Sequence, residues 1–334
     1  LTPSSVASID NVAGLPPTVT PTQEPTQQPE FEVIGEYRTS RAANGLFIDG
    51  NTLYLANGAD NLMRMNISDP SNPLPLDVYN AYGASEVVVS ENIAYILVGD
   101  DYAKSLQVIN FNEGLTYTYD SQESELPWDL SHLAVQDNLI HLLSWNYWGI
   151  YDVTDLSNPV ERWHWEPSSN SGVTCRIVID DQIAFVGGGW TGLHIFDISQ
   201  PDQPELIGGF DTPNWIVGMA LSNEVLYLSL GESGVLVLDV GDPSRPLLMT
   251  TLELPGYVSE LAVENDRLYA LYIVLEEYDV IESGVVAVDV SDLSEIMVLT
   301  TFNELHEASD IQVVDDKVFV TDEPWGLLVL KLGD

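Results

Sequence analysis

The sequence predicts an all-β fold: seven four-stranded blades closed into a ring, a seven-bladed β-propeller. Three observations carry this. From residue 31 onward, short stretches rich in Val, Ile, Leu and Tyr alternate with turn-forming segments such as DGN, DPSNP and GESG, and helical periodicity is nearly absent. The stretches repeat. GLHIFDISQPDQP at 192–204 aligns with GVLVLDVGDPSRP at 234–246, and equivalent positions fall at Asn66, Asn110, Asp152, Asp197, Asp239, Asp289 and Lys331, a period of about 43 residues. Finally, the last copy ends without an outer strand, while FEVIGEY at 31–37 stands ahead of the first copy and matches PELIGGF at 204–210.

Taken in chain order, residues 1–30 contain LPPTVTPTQEPTQQPE, where Pro, Thr and Gln oppose both helix formation and burial, so they read as a disordered tether. Residues 31–334 form the ring. In the fifth copy VGMALS, EVLYLSL, GVLVLDV and PLLMTTL read as inner, second, third and outer strands of a meander. One such sheet is too small to be stable, and seven arranged radially bury both faces against their neighbours. SDIQVV, KVFVTD and GLLVLKL supply three strands of the seventh blade, and FEVIGEY completes it, closing the ring non-locally; an open solenoid would instead have to cap both ends. The longest interval, between Asp239 and Asp289, is assigned to an insertion in blade six, YIVLEEYDVIES.

The segments ISDPSNP at 67–73, YDVTDLSNP at 151–159, FDISQPDQP at 196–204, LDVGDPSRP at 238–246 and VDVSDLSEI at 288–296 share a pattern that resembles the LVIVD repeat family. The resemblance covers residues 31–334. It implies a propeller, often part of a secreted or surface protein, and carries no catalytic set to transfer. NFNEG at 110–114 departs from the Asp and Pro pattern, so an irregular connection is expected in blade two.

Composition narrows the partners. The 334 residues hold 52 Asp or Glu against 10 Lys or Arg, a formal charge of -42, and only Asp10, Glu24 and Glu30 of these acids lie in the tether. With 45% apolar residues the chain has ample core material, so the acids belong to a folded surface. That surface repels phosphate backbones and anionic head groups, which argues against nucleic acid and lipid; cationic or neutral partners are favoured. No stretch offers the roughly 20 apolar residues of a membrane helix, so no direct transmembrane insertion is expected. Cys175, the single cysteine, reads as a buried thiol and rules out an internal disulfide.

The repeated Asp of YDV, FDI, LDV and VDV is expected to accept backbone N–H bonds in the turn that follows, a structural task rather than a catalytic one. SENI, QDNL, DDQI, SNEV, ENDR and DDKV read as hydrated hairpins. Strand order places the outer-to-inner connections and the second-to-third turns on one face. Trp128, Trp215, Tyr257 and His306 precede inner strands there, and Trp148, Trp190 and Trp325 precede third strands. These aromatics are candidates to stack on a glycan or anchor a protein; for Trp148, Trp190 and Trp325, packing over their own blades is the favoured reading. At the inner-strand starts, Asn44, Ser85, Ser131, Cys175, Val217, Ser259 and Ser309 suit a narrow axis. Glu86, His132, Arg176, Glu260 and Asp310 follow them, with Arg38 and Arg41 in a preceding loop. This is a mixed-charge axial mouth, and Arg176 is expected to neutralise Glu86, Glu260 or Asp310.

The sequence therefore points to a recognition or scaffold protein, extracellular or on the cell envelope, that binds a protein or carbohydrate through the propeller face. Two alternatives remain: a structural component of an envelope assembly, and a hydrolase-like or lyase-like enzyme with His132 as a base near Glu86 or Glu260. No H-E-x-x-H, G-x-S-x-G or clustered C-x-x-C signal supports the enzyme. No cofactor is required. GDDYAK at 99–104 and the acidic loops offer oxygen ligands for a structural calcium, without the full spacing of an EF-hand.

Overall fold

A computed structural model describes residues 29–58, 61–100, 103–119, 126–127, 129–167, 174–189, 191–276, 279–323 and 326–333; the expected tether lies outside these except for its last two residues. Its strands form seven antiparallel four-stranded sheets. From axis to rim, blade one is Gly45–Asp49, Thr52–Asn57, Asn61–Asn66 and Leu74–Tyr79, and blade two is Glu86–Ser90, Ile93–Asp100, Ala103–Asn110 and Leu115–Tyr119. Blade three is Leu130–Gln136, Leu139–Ser144, Tyr147–Asp152 and Val160–Trp165; blade four is Thr174–Asp180, Ile183–Gly188, Gly192–Asp197 and Glu205–Phe210. Blade five is Gly218–Ser222, Val225–Ser229, Val235–Asp239 and Leu247–Leu252; blade six is Tyr257–Glu264, Arg267–Glu276, Asp279–Asp289 and Met297–Leu305. Blade seven takes Glu307–Val314, Lys317–Glu323 and Gly326–Leu332 from the end of the chain and Phe31–Tyr37 from its start, so the ring closes as the sequence predicts.

Each inner strand packs beside that of the next blade, including seven against one. The core is divided accordingly. Seven apolar clusters fill the seven spaces between blades, such as Val235, Val237 and Leu252 of blade five against Leu268, Ala270 and Val286 of blade six. A fully buried Leu or Val contributes roughly 1.5–3 kcal/mol, so every blade depends on both neighbours.

The turns explain much of the acidity. The first two strands of each blade join through two-residue hairpins, and Glu91, Asn92, Asp137, Asp181, Asn223, Glu224, Asn265, Asp266, Asp315 and Asp316 adopt positive φ there. Asn and Asp tolerate that left-handed backbone better than most residues. After the third strand, Oδ1 of Asn66, Asp152, Asp197, Asp239 and Asp289 accepts an amide hydrogen from the residue two positions on, at 2.8–2.9 Å. Farther along the same connections, Asp69, Asp155, Asp242 and Asp292 each accept from a Ser amide and the same Ser hydroxyl. The repeated acids thus hold the connection together.

Blade two is the exception. Its third and outer strands are joined by four residues, with Asn110 Oδ1 accepting from the amides of Asn112 and Glu113. The outer strand lacks the bulge found in the corresponding pair of the other six blades. Where the bulge occurs it brings the outer strand against the next blade. A Cβ on Gly35 would meet the Pro70 carbonyl oxygen at 2.2 Å, and one on the equivalent Gly208 would meet that of Pro243 at 2.1 Å.

Candidate functional site

Aligning the seven inner hairpins by their turns places Gly45, Glu86, His132, Arg176, Gly218, Glu260 and Asp310 at one level around the axis. The five charged or titratable residues expected at the mouth therefore share one ring. Glu86 and His132, on adjacent blades, form an ion pair through Oε1 and Nδ1 when the imidazole is protonated. Arg176 reaches Glu260 two blades away. The blade between contributes Gly218, where a Cβ would meet the Ser259 carbonyl oxygen at 2.5 Å, so the level through which the guanidinium passes carries no side chain of its own. Asp310 turns toward blade one. Its Oδ2 accepts the Leu46 amide hydrogen and its Oδ1 that of Ile311, each at 2.8 Å.

Electrostatics single out Asp310. Burial, then the nearby charge of Glu260, raise its carboxyl from 3.8 to about 7 against the two backbone hydrogen bonds, with Glu86 adding to the rise. One level deeper, Gln312 Oε1 accepts from the Ile48 amide and its Nε2 donates to the Leu46 carbonyl, both at 3.0 Å, so blade seven grips blade one at two successive levels. The small residues just before the ring tie backbones together. Ser309 Oγ donates to the Ala43 carbonyl at 2.9 Å, and Asn44, Ser85 and Ser131 make longer bonds to carbonyls.

The aromatic rim is partly redistributed. Trp215 is half-buried and meets Trp145 edge to face, with ring centroids 5.4 Å apart. Trp145 occupies the second-to-third turn of blade three and is 53% exposed, whereas Trp148, expected in that turn, lies inside the third strand and is fully buried. Trp148 packs edge to face against Trp163 and Phe196 and donates from Nε1 to His141 Nδ1 at 3.2 Å. The two tryptophans of SWNYWG exchange roles because strand alternation directs Trp148 and Ile150 into the core. Tyr257 lies over Gly231, where a Cβ would meet its ring at 2.5 Å, so it also braces blade five. His306 is exposed, with Nδ1 3.5 Å from Oδ2 of the fully buried Asp322. Trp128, Trp190 and Trp325 lie outside the described residues.

The remaining histidines do other work. Burial lowers His141 and His194 to about 4, the latter against the charge of Asp211, so both are neutral core groups near neutral pH. His164 Nδ1 meets Glu161 Oε1 at 2.7 Å on the rim of blade three, away from the axis, and Tyr147 and Tyr151 donate to Glu161 Oε2. Among the described residues no group of three or more His, Cys, Asp or Glu side chains is gathered to hold a metal ion; GDDYAK is only partly within them. Nor is any helix there long and apolar enough to cross a membrane.

A family model for the LVIVD repeat matches residues 40–80, 171–212 and 218–253, which correspond to blades one, four and five. No curated protein matches the chain. Among solved structures, a chain of the mitotic checkpoint complex is similar with a TM-score of 0.67 at 11% identity, over 100% of both chains. The computationally designed Ika8 protein is similar with a TM-score of 0.61 at 11% identity, over 89% of this chain and 98% of its own. At that identity the likeness is one of fold. With the closed ring and its seven four-stranded sheets, the chain is a seven-bladed β-propeller in which blades one, four and five match the LVIVD repeat.

Proposed function

We propose that this propeller is a non-catalytic recognition module that takes a protein or carbohydrate on the face bearing the axial mouth, and that residues 1–30 tether it in an extracellular or cell-envelope setting. One observation carries the binding face: the ring of Glu86, His132, Arg176, Glu260 and Asp310 opens on the same side as the Trp145–Trp215 pair. Charged groups paired across a concave axis orient a polar ligand, while exposed indole rings lose water when a sugar or apolar side chain covers them. Glu86 and His132, and Arg176 and Glu260, are already matched with one another, so a partner competes for them, which favours selectivity over raw affinity.

A photo-cross-linker placed at Trp215 should capture material from the native source that the same reagent at an outer-strand position of blade four does not. Arg176→Glu and Trp145→Ala should each reduce that capture while far-UV circular dichroism is preserved. Unchanged capture in both variants would remove this face from consideration. The alternative, service within an assembly, is favoured by the outer strand of blade one, where Leu74, Leu76 and Val78 are each at least half-exposed; cross-links confined to that strand would support it.

A further inference from the structure

The chain leaves blade seven at Tyr37 and enters the first inner strand at Gly45, and the connection between them lies on the mouth face. With blade one it bounds a groove of about 380 Å³, lined by Tyr37, Arg38, Thr39 and Ser40 on one side and by Asn61, Met63 and Val78 among others. These groups are reachable. Arg38, Ser40 and Val78 are exposed, and Tyr37, Thr39, Asn61 and Met63 are partly so. The connection is also held in place. Thr39 Oγ1 donates to the Arg41 carbonyl at 2.5 Å, and the Asn44 amide donates to that of Ala56 at 2.8 Å. Gly326 comes so close that a Cβ there would meet the Tyr37 carbonyl oxygen at 2.6 Å and the Thr39 amide nitrogen at 2.8 Å. A loop already fixed by backbone contacts loses less conformational freedom when a ligand arrives.

We propose that this groove is a subsite for a neutral sugar, a pyranoside of one or two rings, held by Arg38, Ser40 and Asn61 and covered by Tyr37, Met63 and Val78. Its volume falls within the roughly 300–1,000 Å³ of small-molecule sites. The lining decides the class. The Asn61 amide and the Ser40 hydroxyl can each donate and accept, as sugar hydroxyls do, and the Arg38 guanidinium is a planar fork of donors. Tyr37, Met63 and Val78 offer apolar surface to the C–H face of a ring, which a purely polar groove would leave uncovered. Charge counts against both ionic alternatives. A formal charge of -42 repels an anion at long range, while Arg38, the single charged side chain among the described lining residues, repels an ammonium. The exposed contact between Arg38 Nε and Glu36 Oε1, at 3.7 Å, is weak enough for a ligand to compete with. The subsite rests on the recognition reading of this face and narrows the partner to carbohydrate. The cross-linker at Trp215 and the variants at Arg176 and Trp145 lie outside the groove, so the two tests can fail separately.

The test is an NMR titration of the isotopically labelled full chain with methyl glucoside, methyl galactoside and methyl mannoside at roughly 150 mM salt, where diffuse attraction is screened. At least one of the three should give saturable shifts of the amides of residues 37–40, 61–63 and 78. Its charged counterparts, the methyl uronide and the 2-amino-2-deoxy glycoside, should bind at least about threefold more weakly. Arg38→Ala and Asn61→Ala should each lower the affinity by about threefold to tenfold. Val78→Asp, at an exposed position, should do the same with no change in melting temperature. Shifts confined to the axial ring or to Trp145 and Trp215 would overturn the subsite while supporting recognition on this face. No saturation with any of the three sugars, equal binding of the charged sugars, or unchanged affinity in all three variants would overturn it outright.

Discussion

Asp310 has to carry a negative charge where Glu260 and Glu86 already carry theirs. Its folded-state value of about 7 stands above the ordinary 3.8, so the folded protein takes up a proton there that the unfolded chain does not. The associated stability is complete below about pH 4 and is lost as pH rises through about 7. Asp310→Asn keeps an acceptor for Leu46 and removes the charge. Its melting temperature should match the parent near pH 4 and exceed it at pH 8, by a difference on the order of 2–4 kcal/mol in denaturant titrations. An equal effect at both pH values would show that the carboxyl does not titrate as the ring geometry demands. Turn aspartates act with the opposite sign. The Ser hydroxyl and amide bonds hold Asp155 and Asp292 below the usual carboxylate range, so what they contribute is present above that range and lost in acid. These turn acids were legible in the sequence because their bonds reach only two residues along the chain. The Arg176–Glu260 pair was foreseen only as one of three partners, since choosing among them requires knowing that Gly218 leaves the blade between without a side chain.

The strand Phe31–Tyr37 shows how a repeat can be read where a contact cannot. Its likeness to residues 204–210 places it in blade seven, and the structure adds the reason for the shared glycine: both strands bulge toward the carbonyl of a neighbouring connection. Gly35→Ala should therefore destabilise the fold by about 1–3 kcal/mol, read as a lower urea midpoint, because the new Cβ must displace backbone rather than a side-chain end. A neutral result would mean that the outer strand can slide without loss. The same repeat logic explains why blade two departs where its sequence does: without the Asp and Pro pattern, the seven-residue connection shortens and the bulge goes with it. It fails for Trp145 and Trp148. Three residues apart at the edge of a strand, they are distinguished only by which register buries Ile150, and a one-residue shift would reverse them. Arg38 was visible in a loop ahead of the first inner strand, but nothing local showed that it would share a groove with Asn61 and Val78 of blade one.

Forty-nine of the 52 acids belong to the propeller, and among the described residues fifteen of them are fixed in turns by positive φ or by capping bonds, so their charge cannot relax by moving inward. At about 10 mM salt their mutual repulsion reaches across neighbouring blades, whereas at about 1 M it is confined to nearest groups. The melting temperature should therefore rise between these two conditions, and a flat salt dependence would mean that the acids are neutralised pairwise. Ring closure bears on how such a molecule can be held. Phe31 pairs with Leu332, and the Gly333 amide donates to the Glu30 carbonyl at 2.9 Å, so both ends of the propeller meet at the rim, on the side where inner hairpins turn. The axial mouth and the indole pair both open on the other side. A support joined through either end would thus sit behind the molecule and leave the mouth face pointing away from the attachment.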